Sequence, residues 1–175
     1  MKHFEVIPEC YVDTNIISTL IGAEVNHQKG CNNVANTLNL KMQNQFAIGI
    51  IDKDKRTPGY LDQFQCVAQR SHIELYKHPL RPHYFILVIK AIETLLLENA
   101  ELLGLDMKAY DLTSNKEEFK KQTKRCDSNK DPRFSRLTSD LRISPEIKAL
   151  EESIKYMVAR KYNINIDELK SIFLS

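Results

Sequence analysis

The chain has 175 residues, enough for one domain with a sizeable core, and is 42% apolar and 27% charged. Its formal net charge of +2 neither demands nucleic acid nor repels it. No apolar signal core opens the chain, the longest apolar runs, such as 84–89, are too short to span a bilayer, and Cys10, Cys31, Cys66 and Cys126 form no C-x-x-C pair. These features predict a cytoplasmic protein with reduced thiols and argue against a zinc site and a membrane association.

The first half alternates in pattern. Residues 4–8 read as a short strand. Ile16, Ile17, Leu20 and Ile21 predict a helix over 13–21 that Gly22 can end. Residues 23–27 read as a second strand. A helix follows from Gly30 to about Met42, with Val34, Leu38 and Met42 on one face. Residues 46–51, FAIGII, are nearly all apolar, as expected of a strand covered on both sheet faces. Strand, helix, strand, helix, strand predicts a Rossmann-like α/β fold with a parallel or mostly parallel sheet flanked by helices.

Beyond the turn Thr57-Pro58-Gly59 the pattern predicts a short helix over 60–69, then strands over 72–76 and 83–89 separated by HPLRP. Ile92, Leu95, Leu96 and Leu103 mark a helix over 91–103. Residues 110–140 read as helix plus loop. A long amphipathic helix is expected over 145–162, with Ser144 as its N-cap, and a last short helix over 166–174. The expected organisation is an α/β domain over 1–105 with a helical extension over 106–175 packed on it.

Two strand exits carry acids. Glu9 ends the first strand and Asp13 follows; Asp52 ends the third and Asp54 follows. In an open parallel sheet, chemistry gathers outside the carboxyl ends of the strands. If the first and third strands are neighbours, four carboxylates converge and repel, and a divalent cation relieves that repulsion. Mg²⁺ suits such a rim, since it takes oxygen ligands and keeps several waters.

These residues resemble a known family. A Glu after the first strand and D-x-D after the third is similar to the TOPRIM fold of topoisomerases, primases and OLD-type nucleases. PECYVDTNIISTLIG resembles the opening of OLD-type TOPRIM domains, HQKGCNNVANTL the glycine-containing turn and helix after their second strand, and AIGIIDKDKR their D-x-D strand. KAIETLLLENA resembles the acidic helix start of stand-alone TOPRIM-like proteins. The resemblance covers about the first hundred residues. Cys10 stands where the family has Gly after the first Glu, and no G-x-x-x-x-G-K-[ST] loop accompanies the domain.

The resemblance implies phosphoryl transfer on DNA or RNA with Mg²⁺ or Mn²⁺, most simply a nuclease. It implies Glu9, Asp52 and Asp54 as metal ligands and catalytic groups, with Asp13 and Glu93 as further ligands or partners of ligands. For Glu93 the helix dipole is an equal explanation. Lys90, Lys55 and Arg56 are expected at the phosphate, whereas Lys53 suits a solvated surface. Lys120, Lys121, Lys124 and Arg125, with Arg133, Arg136 and Arg142 downstream, form a candidate track for a phosphodiester chain. His27 lies nearest the rim, but a structural role is its commoner use; His78 and His83 suit a surface loop, and Tyr110 and Phe134 suit core packing better than base stacking.

Other classes share the layout. A haloacid-dehalogenase-type phosphatase wants Thr or Val two residues after its second Asp, where Arg56 stands. A receiver-like phosphoacceptor would use Asp52 with Lys90 but needs adjacent acids after the first strand, and Glu9-Cys10 supplies one. The third alternative is not an enzyme: a TOPRIM-like domain that binds metal weakly, or binds only a partner protein.

Overall fold

The computed structural model describes residues 1–53 and 56–175. Its central strand is the apolar run, β4 (Ala47–Lys53). Side chains alternate across a strand, so an apolar run must meet a core on each face. Five strands form the main sheet: β2 (Val6–Pro8), β4, β7 (His83–Ile89), β6 (Ile73–Lys77) and β5 (Gln65–Gln69), in that spatial order. β2 and β7 flank β4 in parallel, with Val6 opposite Ile48 and Ile48 opposite Tyr84. β1 (Lys2–His3) pairs in parallel with β3 (Glu24–Val25).

The first and third predicted strands are therefore neighbours. The second is shorter than expected, but the chain after β3 keeps running beside β2. The Asn26 N–H donates to the Val6 carbonyl (2.9 Å), that of Gln28 to Pro8 (3.1 Å) and that of Gly30 to Glu9 (3.1 Å).

The sheet is mixed, which corrects the parallel or mostly parallel expectation. β6 is antiparallel to β7, and β5 is antiparallel to β6. The connection from β6 to β7 is too short for a crossover, so it can only reverse the chain. The helix expected over 60–69 is instead a 3₁₀ turn (Gly59–Gln63) followed by β5. Tyr60, Leu61 and Phe64 are spent on one sheet face, and β5 is an edge strand with mostly exposed side chains.

Two cores result. On one face, α2 (Cys31–Asn36), which continues into a wider π turn (Thr37–Met42), lays Val34, Ala35 and Leu38 on Ile7, Ala47, Ile51, Phe85 and Leu87. On the other lie α1 (Tyr11–Ile21), α3 (Ile92–Leu102), α4 (Lys116–Thr123), α5 (Pro132–Leu141), α6 (Pro145–Arg160) and α7 (Ile166–Leu174). Phe119, Phe134, Leu150 and Phe173 of this helical part join Val6, Ile48, Ile50 and Ile86 of the sheet in one core. Each such side chain contributes roughly 1.5–3 kcal/mol by burial, so the helical extension is integral to the sheet's stability.

Gly49 of β4 stands opposite Phe85 of β7. A Cβ there would lie 2.4 Å and 2.6 Å from ring carbons of Phe85. The glycine lets the ring cover the strand just before its acidic exit. Gly22 ends α1 in the left-handed conformation (φ 67°). Ser144 does stand at the N-cap position of α6, but its side chain makes no cap; it donates to Asn99 Oδ1. Among the described residues no helix is long and apolar enough to cross a membrane.

Candidate active site

Glu9 follows directly on β2, and its Oε2 accepts the Asp52 N–H at 3.0 Å. A side chain thus continues the β2–β4 ladder one step past its last backbone pair. α1 starts at once. Its N-cap, Cys10, has an extended backbone (φ −129°), and its Sγ accepts the Asp13 N–H at 3.5 Å. Asp13 Oδ2 accepts the Cys10 N–H in return, at 3.2 Å, which completes a capping box. The extended backbone of Cys10 carries no strain. Asp13 is 2% exposed, and its Oδ1 is buried with no hydrogen-bond partner among the described residues.

β4 and β7 leave the sheet together, Lys53 opposite Ile89. Lys90 then turns the chain with φ +70°, a left-handed conformation that a non-glycine residue holds at a cost. Ala91 is the N-cap of α3 and has no side chain to cap it. Asp52 does so from the neighbouring strand, its Oδ1 accepting the Ile92 N–H at 3.0 Å. Glu93, in the first turn, is 6% exposed, and its Oε1 accepts the Thr123 hydroxyl of α4 at 2.5 Å. The positive end of α3 thus faces two carboxylates.

Asp13 and Asp52 feel the acids around them. Burial pushes the Asp13 carboxyl well above the usual range; the Cys10 hydrogen bonds oppose this, and the charges of Glu9 and Glu93 add to it. Burial raises Asp52 too, followed by the charges of Asp13, Glu93 and Glu9, with the Ile92 N–H pulling the other way. Burial also raises the Cys10 thiol, with Asp13 and Asp52 contributing, so Cys10 stays a protonated cap and not a nucleophile. No lysine or arginine is paired with Asp13 or Asp52 in an ion pair among the described residues. Each unit by which such a carboxyl is raised is about 1.4 kcal/mol of unfavourable charge.

Above this floor opens a cleft of about 570 Å³. Glu9, Asp52, Glu93 and Thr123 line it beside Lys29, Lys90, Lys120 and Lys124. Cys10, Tyr11, His27 and Cys126 also face it. The Tyr11 and His27 rings stack at 4.4 Å and 19°. His27 Nδ1 lies 3.0 Å from the Thr14 hydroxyl, whose proton goes to the Cys10 carbonyl (2.7 Å). His27 is thereby the Nδ1–H tautomer, and burial lowers its pKa against the opposing Cys10 bond. Its Nε2 is buried without a partner among the described residues.

The fold thus brings together Glu9, Asp13, Asp52, Glu93, Lys90, Lys120 and Lys124. Asp54 and Lys55 lie outside the described residues. Other expected contacts fall elsewhere. Lys121 is exposed on α4 outside the lining; Arg125 pairs with Asp127 at 2.8 Å; Arg56 is exposed, its carbonyl accepting the Cys31 thiol. Lys53, its side chain still 39% exposed, pairs with Glu74 at 2.8 Å. The downstream arginines are structural: Arg133 holds Asp131, Arg136 the Ala109 carbonyl, and Arg142 the carbonyls of α1. Phe134 and Tyr110 are buried, as is His83, which meets the Tyr60 hydroxyl at 2.7 Å, and His78 accepts N–H groups of its own turn. The surface-loop reading of these two histidines was wrong because each fills the core beneath the turn.

Sequence reasoning missed Lys29, which the backbone bonds beside β2 carry to the rim. It also missed a second cleft, of about 390 Å³, where His72 bridges Glu146 (2.8 Å) and Glu98 (2.7 Å). Among the described residues no three His, Cys, Asp or Glu side chains stand ready as a metal cage. No family model, curated protein or solved structure matches this chain.

Proposed function

We propose that the cleft carries out metal-dependent phosphoryl transfer on nucleic acid, as a TOPRIM-type nuclease would. The supporting observation is the Glu9–Asp52 hydrogen bond across the parallel β2–β4 pair, with Asp13 and Glu93 close enough to raise the protonation of the group. A cluster of acids in which burial and neighbouring carboxylates raise Asp13 and Asp52 suits a cation. The orphaned Asp13 Oδ1 fits that reading. Mg²⁺ asks for only one or two carboxylates and keeps waters, so a ready cage is not required.

Glu9, Asp52 and Glu93 would hold Mg²⁺ or Mn²⁺, Asp52 and Glu93 through the oxygens not given to Ile92 and Thr123, with Asp13 behind them. When bound, the ion supplies Lewis acidity toward a phosphodiester oxygen. The protein's own groups do the rest. The helix dipole and the hydrogen bonds fix the carboxylates on rigid strand ends. Lys90 and Lys120 neutralise phosphate charge at the mouth. The lack of a ready cage favours one second reading, a TOPRIM-like binding domain without catalysis.

Calorimetry with Mg²⁺ and Mn²⁺ on the wild type and Asp52→Asn tests the proposal. Binding that the substitution abolishes is expected. Absence of binding by either ion ends the catalytic reading. A gel assay on labelled DNA and RNA with Mn²⁺ follows; metal binding without cleavage selects the binding-domain reading.

A further inference from the structure

We infer that the cleft takes a single-stranded nucleic-acid segment, not a duplex, and lays an unpaired base against the Tyr11–His27 stack. The inference rests on the reading above for the chemistry but makes its own claim about shape. A cleft of about 570 Å³ falls in the size range of small-ligand sites, roughly 300–1,000 Å³. It admits a nucleotide unit or two, whereas a duplex keeps its bases paired in a rod too broad to enter.

The wall chemistry agrees. Tyr11 and His27 both line the cleft and stack on each other at 4.4 Å, so an incoming base extends an existing stack. The Thr14 hydrogen bond holds the imidazole in place. Lys29, Lys90, Lys120 and Lys124 come from three separate parts of the chain and ring the same opening. Aromatic faces between lysines are the arrangement that binds single strands with little sequence preference.

The test is fluorescence anisotropy with a labelled 12-mer, as a single strand and annealed to its complement, as DNA and as RNA, with Mg²⁺ and with chelator. The single strand is expected to bind at least tenfold tighter than the duplex. Four phosphate contacts predict a log–log salt slope of about −3. Tyr11→Ala is expected to weaken single-strand binding roughly tenfold while Tyr11→Phe preserves it. If Tyr11→Ala does not fold, as read by circular dichroism, Lys120→Ala/Lys124→Ala should flatten the slope by about 1.4. Duplex binding as tight as single-strand binding, full affinity in folded Tyr11→Ala, an unchanged slope, or no binding of either form overturns the inference. Metal binding without oligonucleotide binding sinks this inference alone. Single-strand binding without any metal binding sinks the metal reading alone.

Discussion

Asp13→Asn should make the metal-free protein more stable, although it removes a buried carboxylate. Asp13 is 2% exposed, and its pKa is raised by burial and by Glu9 and Glu93 against the Cys10 hydrogen bonds. The folded state therefore binds the Asp13 proton more tightly than the unfolded chain. Stability from this group is greatest below the ordinary carboxylate pKa of about 4 and falls as pH rises toward the raised folded value. At pH 8 the wild type carries the cost and asparagine does not. At about 1.4 kcal/mol per unit, less the weaker helix capping by a neutral side chain, the gain is on the order of 1–3 kcal/mol. For a chain of this length that is a rise in Tm of roughly 2–10 °C. Differential scanning calorimetry in chelator at pH 5 and pH 8 reads it, and the gain should be largest at pH 8. Adding Mn²⁺ should then raise the wild-type Tm by more than the variant's, since less charge repulsion is left for the ion to relieve. An Asp13→Asn protein that melts below the wild type at pH 8 in chelator would refute the reasoning, since it would mean the carboxylate charge is already satisfied.

Gly49→Ala should destabilise by about 1–3 kcal/mol in urea unfolding, because its Cβ would enter the Phe85 ring. Lys90→Gly should raise stability by about 1 kcal/mol by relieving the left-handed backbone, while weakening phosphate binding in a pyrophosphate titration. His72 titrates higher than usual: burial lowers it, but the hydrogen bonds and charges of Glu146 and Glu98 outweigh that. Its contribution is fully present below about pH 6.5 and is lost as pH rises through the folded value. His72→Gln should flatten the fall in Tm between pH 6 and pH 8.

The sequence made β4 and the acids at two strand exits legible because both rest on local patterns. An apolar run of strand length has one economical use, and charge at its end marks where the sheet stops. Other features depend on distant partners. The segment 60–69 looks helical from its composition, yet Tyr60, Leu61 and Phe64 are claimed by α2 and Phe85 across the sheet. The basic run from Lys120 splits because Arg133 finds Asp131 and Arg136 finds Ala109. No spacing in the chain announces that. His72 and Glu146 stand 74 positions apart and meet only because α6 returns to the start of β6. The Asp52 cap of α3 is equally invisible, since it crosses from one strand to the next element's first turn.

α3 joins the two clefts. Its first turn holds Glu93 and receives the Asp52 cap, and Glu98 and Asn99 at its far side meet His72, Glu146 and Ser144. Glu93 and Glu98 are five residues apart, about 7.5 Å along a stiff rod. Occupancy at the acidic end and protonation at the histidine end therefore bear on one and the same helix.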